Sequence, residues 1–185
     1  ALAEIYSENE CDAIYVGLLS ENDAEHEKDL DVLREICQNT AVPVIGSGHI
    51  FRMEDVKKLL YAGCQQVMLD YADPVQLELT KEVSLKFGKE KIAAGVADIS
   101  LLEQEKELLK EYTSNVFLFC PGATAEAALM SPVSVVTFLP EVSLEKLIEV
   151  LSYANISGIS GKLVNENHKQ RFPRSKPFAG KIKFR

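Results

Sequence analysis

The stretch VPVIGSGHIFRMEDVKKLLYAGCQQVML, residues 42–69, contains one complete strand–helix–strand unit. Its first four residues form an apolar run, and a glycine-rich turn follows directly. Residues 53–61 place two acids in the first turn of a helix and then space Val56, Leu59 and Leu60 along one face. A glycine, Gly63, ends that helix, and a second apolar run begins at residue 66. Continuously apolar runs joined through a helix are typical of a parallel β-α-β unit.

The same plan repeats on both sides of this unit. Strand-like apolar runs occur at residues 13–19, 42–45, 66–69, 92–96, 115–119, 133–138 and 156–159. Amphipathic helices are predicted at residues 29–39, 53–61, 75–87, 101–112 and 143–153. So many equal units favour an α/β fold of the (βα)8 TIM-barrel type over a doubly wound open sheet, which usually has about five or six strands. Residues 2–9 resemble the end of a helix whose strand is not in the sequence, so we expect the first βα unit to be missing or incomplete.

Composition narrows the classes of partner. The net charge of −8 argues against nucleic acid or an anionic membrane surface as the main partner. No apolar stretch is long enough to span a bilayer, and no secretory signal is visible, so we expect a cytoplasmic protein. The four cysteines are far apart in the sequence, which predicts reduced thiols rather than a disulfide framework or a zinc site.

The charge changes sign at the end of the sequence. Residues 171–185 contain six basic residues and no acidic one, with prolines and a glycine among them. We therefore expect a barrel domain over residues 1–170 and a basic linker or tail over residues 171–185. Such a tail docks on its own acidic body or leads into a further domain.

Active-site residues of such barrels follow the carboxyl ends of the strands, which selects a few short windows. One window holds Gly46, Ser47 and Gly48, where backbone amides and a helix N-terminus could seat a phosphate, or where glycine could simply allow a tight turn. His49 comes next and could bind a phosphate, act as an acid–base group or remain solvated. Gly161 and Lys162 form a second candidate phosphate seat, with a turn glycine and a solvated lysine as the alternative.

Carboxylates supply the remaining candidates. Asp98 follows the fourth run and could act as an acid–base group if it faces the barrel mouth. Asp73-Pro74 is better explained as the start of a helix, and the polar residues 20–23 with His26 are predicted to be a solvated charged loop. No histidines or carboxylates have a convincing ligand spacing, so we expect no metal and no cofactor.

The quoted stretch resembles the third and fourth βα units of the ProFAR isomerase and imidazole glycerol phosphate synthase cyclase family of histidine biosynthesis. The resemblance continues through LELTKEVSLKFGKEKIAAGV, residues 77–96, and ends at GISGKLVN, residues 158–165. It implies a barrel that binds a phosphoribosyl compound, with two catalytic aspartates and glycine-rich phosphate loops. Members isomerise or cyclise a phosphoribosyl-aminoimidazole carboxamide intermediate.

The sequence departs from the family pattern at the residues that carry the chemistry. The aspartate of the first strand is not in the chain, and the position of the second is occupied by Ala97, with Asp98 one residue late. The resemblance is closer to a degenerate isomerase-like barrel that precedes a phosphoribosyl-AMP cyclohydrolase domain. It implies a barrel that is not an isomerase but could still hold a phosphosugar. The alternative is an active aldose–ketose isomerase that uses Asp98 and His49. Oligomerisation is compatible with either.

Overall fold

The fold is a single sheet of parallel strands in a computed structural model that describes residues 3, 11–140 and 143–161. Its seven strands are β1 (Ile14–Gly17), β2 (Val44–Ser47), β3 (Gln66–Asp70), β4 (Ile92–Val96), β5 (Asn115–Leu118), β6 (Ser134–Phe138) and β7 (Ile156–Ser160). They are hydrogen-bonded in chain order, and every neighbouring pair is parallel. A doubly wound sheet would reverse its strand order at a switch point. The barrel-type prediction and all seven predicted strands are therefore confirmed.

Helices cover one side of this sheet. They are α1 (Asp23–Asn39), α2 (Met53–Ala62), α3 (Pro74–Phe87), α4 (Leu101–Gln104), α5 (Lys106–Tyr112), α6 (Thr124–Met130) and α7 (Leu144–Ser152). The predicted start of α3 is confirmed, because the side chain of Asp73 accepts a hydrogen bond from the Val75 amide and Pro74 occupies the first turn. Gly63 ends α2 in a left-handed conformation with φ 114°. Within the described residues, no helix is both long and apolar enough to cross a bilayer.

The strands separate two apolar layers. The larger layer contains buried residues from both strands and helices, such as Leu33, Leu59 and Val116. The smaller layer consists of Ala13, which directly precedes β1, and of strand residues that alternate with those of the larger layer: Ile45, Met68, Ala93, Phe117 and Val136. Because side chains alternate across a strand, the smaller layer lies on the concave side of the sheet, away from the helices.

The prediction of a solvated, charged loop before α1 holds for residues 20–22, which precede the helix and are mostly exposed, but it was wrong for His26. The helix begins at Asp23, six residues earlier than predicted, because the Asn22 side chain accepts a hydrogen bond from the Glu25 amide at 3.0 Å. That extension brings His26 onto the same face as Leu30 and Leu33, and its residue exposure is only 1%. His26 is part of the packed interface between α1 and its neighbours.

Two other predictions differ in detail. The helix predicted over residues 101–112 is divided at Glu105, where the backbone leaves the helical region with φ −105° and ψ 22°. The short helix α6 was not predicted, because its small residues carry little apolar periodicity.

Lys162 and the basic tail, residues 171–185, lie outside the described residues.

Candidate functional site at the carboxyl ends of the strands

The mouth of the barrel is lined by aromatic side chains. Tyr15 and Phe119 pack against the concave layer, with ring centroids 6.4 Å apart, and Phe138 lies 6.2 Å from Phe119. The Tyr15 hydroxyl lies 2.5 Å from the Ser47 hydroxyl, and these two groups share a hydrogen bond. Aromatic rings therefore occupy the part of the barrel where a polar substrate would be expected to enter.

The end of β2 and the turn after it contain three of the predicted phosphate-binding residues. Gly46 faces the helices, since a Cβ there would lie 2.7 Å from the Cys64 sulfur. Ser47 is buried and hydrogen-bonded to Tyr15. Gly48 has φ 92°, and a Cβ at this position would lie 2.0 Å from the Leu18 carbonyl oxygen. The glycines thus allow close packing, Gly46 against a side chain and Gly48 against the neighbouring turn.

His49 connects the turn after β2 to the turn after β1. Its Nδ1 lies 3.2 Å from the Ser20 carbonyl oxygen, and its Nε2 lies 3.0 Å from Oδ1 of Asp23. The ring stacks on His26 with a centroid distance of 4.4 Å, and only 5% of the His49 side chain is exposed. The alternative of a solvated loop histidine was therefore wrong. Both ring nitrogens already have acceptors within the protein.

Carboxylates occupy the N-terminal turn of α2, where an anion would bind. The Oδ2 atom of Asp55 accepts a hydrogen bond from the Phe51 amide at 3.1 Å, and Arg52 lies 3.5 Å from its Oδ1 atom. Asp55 is 3% exposed, and Glu54 precedes it in the same turn. Negative side chains at a helix N-terminus complement the helix dipole, so a phosphate would here meet negative charge instead of free amides.

The turn after β7 is built on the same backbone contact as the turn after β2. A Cβ at Gly161 would lie 1.9 Å from the Leu139 carbonyl oxygen, and the Leu139 amide donates to the Ser160 carbonyl at 2.7 Å. The Ser160 hydroxyl is buried and has no hydrogen-bond partner among the described residues. This hydroxyl is a donor that a bound oxyanion could use.

Asp98 turns back on its own loop. Its Oδ1 atom accepts a hydrogen bond from the Ser100 amide at 2.9 Å. Hydrogen bonds from the Ser100 backbone and hydroxyl hold the pKa of Asp98 below its usual value. This exposed carboxylate is therefore ionised near neutral pH, where it has no proton to donate and is a weak base. Within β4, Ala93 belongs to the concave layer and Val96 to the opposite one, and Asp98 lies two residues beyond the end of the strand.

The structure does not join the two predicted catalytic residues by a hydrogen bond. Asp98 interacts with Ser100, after β4, whereas His49 interacts with Ser20 and Asp23, after β1. The stacking of His26 on His49 was not predicted. One signal could have found it: the Asn22–Glu25 spacing is that of a capping box, and a helix started there gives His26, Leu30 and Leu33 a shared face.

Comparison with known proteins agrees with this architecture. The profile of the family described as "Histidine biosynthesis protein" matches residues 1–117. This match spans more than half of the chain. The chain belongs to that family.

Its relatives include imidazole glycerol phosphate synthase subunits HisF. The subunit of Bacillus pumilus (strain SAFR-032) is 28% identical over 105 residues, covering 57% of this chain and 41% of that protein. The subunit of Halalkalibacterium halodurans is 30% identical over 95 residues, covering 51% of this chain and 38% of the relative. The chain therefore matches less than half the length of these curated relatives.

A solved structure supports the fold alone. A protein of Burkholderia cenocepacia J2315 assigned as a phosphonomutase superposes with a TM-score of 0.62 at 18% sequence identity. The superposition covers 86% of this chain and 80% of that one. Identity this low carries no information about activity.

Proposed function

We propose that this member of the histidine biosynthesis family is a degenerate barrel that does not catalyse isomerisation. The observation that carries the proposal is the loop after β4 (Ile92–Val96), where the Asp98 carboxylate accepts a hydrogen bond from the Ser100 amide of its own loop. Aldose–ketose isomerisation requires proton transfer at adjacent carbons, and positioned acid–base groups perform it. At the end of β4, the described residues therefore do not offer a carboxylate held ready to move those protons.

The turn after β2 supports the same proposal. His49 uses both ring nitrogens in contacts with Ser20 and Asp23, so it has no nitrogen left for a substrate in this conformation. Asp55 takes up the Phe51 amide that a phosphate-binding turn would offer. These contacts stabilise the loops of the barrel rather than a ligand.

Any phosphosugar binding that the barrel retains is proposed to occur at the turn after β7. The Ser160 hydroxyl has no hydrogen-bond partner among the described residues, and it precedes Gly161 and Lys162 in the sequence. We assign any retained phosphate seat to this turn, where no described carboxylate caps the strand end. The barrel would then hold a phosphoribosyl compound without converting it.

The test is a calorimetric titration with the ProFAR substrate, combined with an isomerisation assay run beside an authentic isomerase. We expect turnover at least about 1,000-fold below that enzyme, since acid–base groups contribute on the order of 100- to 10,000-fold. Ser160→Ala should weaken any binding, whereas Ser47→Ala, at the end of another strand, should not. Turnover that is lost in Asp98→Asn or His49→Ala would instead establish the active isomerase and refute the degenerate barrel.

The proposal extends to a role beside a second, cytoplasmic enzyme domain. The resemblance to barrels that precede phosphoribosyl-AMP cyclohydrolase implies that this chain supports such a domain in a longer polypeptide. We expect that polypeptide to keep its cyclohydrolase activity when Asp98 and His49 are replaced. The same activity should fall in Gly48→Ala, because a Cβ at that position would lie 2.0 Å from the Leu18 carbonyl oxygen and should destabilise the barrel. If Gly48→Ala affected the activity no more than the replacements of Asp98 and His49, a supporting role would be contradicted.

A further inference from the structure

Two cysteine side chains meet between α1 and the turn after α2. Cys37 lies in the last turn of α1 and is half-buried, whereas Cys64 directly follows Gly63 and is 4% exposed. A Cβ on Gly63 would lie 2.8 Å from the Cys37 Cβ and 3.4 Å from the Cys37 sulfur. The Cys37 side chain thus packs on the backbone that leads into Cys64.

Gly46 and Gly63 have no side chains that would occupy the space of the two cysteine side chains. On the other side of the pair, a Cβ on Gly46 would lie 2.7 Å from the Cys64 sulfur and 3.7 Å from its Cβ. A side chain at either glycine would displace a cysteine. The absence of side chains at Gly46 and Gly63 therefore allows the two cysteines to pack between β2 and the helices.

The two thiols are electrostatically unequal. A hydrogen bond from Cys64 lowers the pKa of Cys37 below its usual value, because it stabilises the thiolate. The same hydrogen bond and burial raise the pKa of Cys64. The more accessible sulfur is thus the better nucleophile, and the buried one stays protonated until its partner has reacted.

We propose that Cys37 and Cys64 form a reversible disulfide by exchange with a low-molecular-weight disulfide such as oxidised glutathione. The Cys37 thiolate attacks one glutathione sulfur, the glutathione S–S bond breaks, and one glutathione thiolate leaves. Cys64 then loses its proton to water, attacks the Cys37 sulfur and expels the second glutathione thiolate. Two protein thiols are oxidised, one glutathione disulfide is reduced to two thiols, and the released protons end on those thiols.

The other described cysteines are not equivalent to this pair. Burial and the nearby Asp12 carboxylate raise the pKa of Cys11 to about 11, which disfavours its thiolate. Cys120 is half-buried on a different part of the sheet, after β5. The Cys37–Cys64 bond would tie the end of α1 to the start of β3 and would enclose β2 and the Gly48 turn in the same covalent loop.

The test is titration of the reduced chain with oxidised and reduced glutathione at graded ratios, read by thiol counting and intact mass. We expect the four thiols of the chain to fall to two, with a mass loss of two hydrogen atoms and a Cys37–Cys64 cross-linked peptide. Cys11→Ser and Cys120→Ser should also lose two thiols, from three to one, with the same Cys37–Cys64 cross-link. Cys64→Ala should stop at a mixed disulfide of Cys37 with glutathione.

Two results would overturn the proposal. One is retention of all four thiols in the folded chain at oxidising ratios that drive a flexible dithiol peptide to completion. The other is a cross-link or glutathione adduct that maps to Cys11 or Cys120 while Cys37 stays reduced. Both readouts use the unchanged chain, so they hold even if Cys64→Ala, which lies in a tightly packed pocket, folds poorly.

Discussion

The turns after β2 and β7 share one backbone arrangement but differ in what surrounds it. In each, the strand ends in a serine whose carbonyl oxygen accepts a hydrogen bond from the amide of a leucine that follows the neighbouring strand. The Leu18 amide, after β1, donates to Ser47 at 2.8 Å, and the Leu139 amide, after β6, donates to Ser160 at 2.7 Å. In each, the next residue is a glycine whose Cβ would fall on that leucine's carbonyl oxygen. The glycines are thus required by contact between neighbouring turns, whether or not a ligand binds.

The difference lies in the groups that hold each turn. Gly48 is left-handed, His49 follows at φ 52°, and the His49 ring is enclosed by Ser20, Asp23 and His26. The Ser160 hydroxyl, by contrast, is buried without a described partner. The turn that contains Gly48 is therefore held by contacts of the His49 side chain. The turn that contains Gly161 follows a serine hydroxyl that has no hydrogen-bond partner among the described residues.

The largest expected effect is that of Gly48→Ala. The new Cβ would lie 2.0 Å from the Leu18 carbonyl oxygen, and φ 92° adds the cost of a left-handed alanine. We expect a loss of about 3 kcal/mol or more in the free energy of unfolding, measured by urea denaturation. Gly122→Ala is the matched control, because a Cβ there meets nothing within 4 Å. Equal losses in both variants would show that the contact between the turns is not what requires Gly48.

Gly161→Ala should follow, with a smaller loss. Its Cβ would lie 1.9 Å from the Leu139 carbonyl oxygen, so the clash is comparable, but Gly161 is not among the left-handed glycines. We expect about 2 kcal/mol in the same denaturation experiment, since the turn can shift without leaving an allowed backbone region. The difference between the two glycine variants would then measure the strain specific to Gly48. A larger loss for Gly161→Ala would reverse the comparison.

This pair of turns also shows what the sequence could and could not predict. Strands and helices follow from local apolar periodicity, and both glycine-bearing windows were identified because they end apolar runs. The reason for each glycine lies in a contact with a leucine far away in sequence, Leu18 for Gly48 and Leu139 for Gly161. The burial of His26 was missed because its helix was predicted to start after it. Such long-range contacts leave no local pattern in a single sequence.

We expect His26 to make the stability of the protein depend on pH. Burial lowers the pKa of its imidazole, and the nearby His49 and Lys58 lower it further, against smaller opposing effects of Asp55 and Glu27. The unfolded chain binds the proton first, at about pH 6.5, so stability should fall as pH drops below that value towards the folded pKa. His26→Phe keeps an aromatic ring on His49 and should remove this slope in urea denaturation between pH 7 and pH 5. A slope that survives the substitution would assign the titration to another group.

The smallest expected effect is that of Asp23→Asn, because Asp23 is exposed. A hydrogen bond from His49 lowers the pKa of the Asp23 carboxyl, with Arg52 and Lys58 contributing. The contribution of the ionised carboxylate to stability is therefore present above about pH 4 and is lost as pH falls through the lowered folded value. The variant should be slightly less stable than the unchanged chain at pH 7, and the difference should shrink as pH falls below the ordinary pKa of an aspartate. Asp31→Asn is the control on the same helix, because Asp31 pairs with Arg34 and not with His49. If the two substitutions gave the same pH profile, the contact between Asp23 and His49 would not stabilise the turn after β2. The contrast with the turn after β7 would then depend only on the backbone of Gly48 and on the stacked histidines.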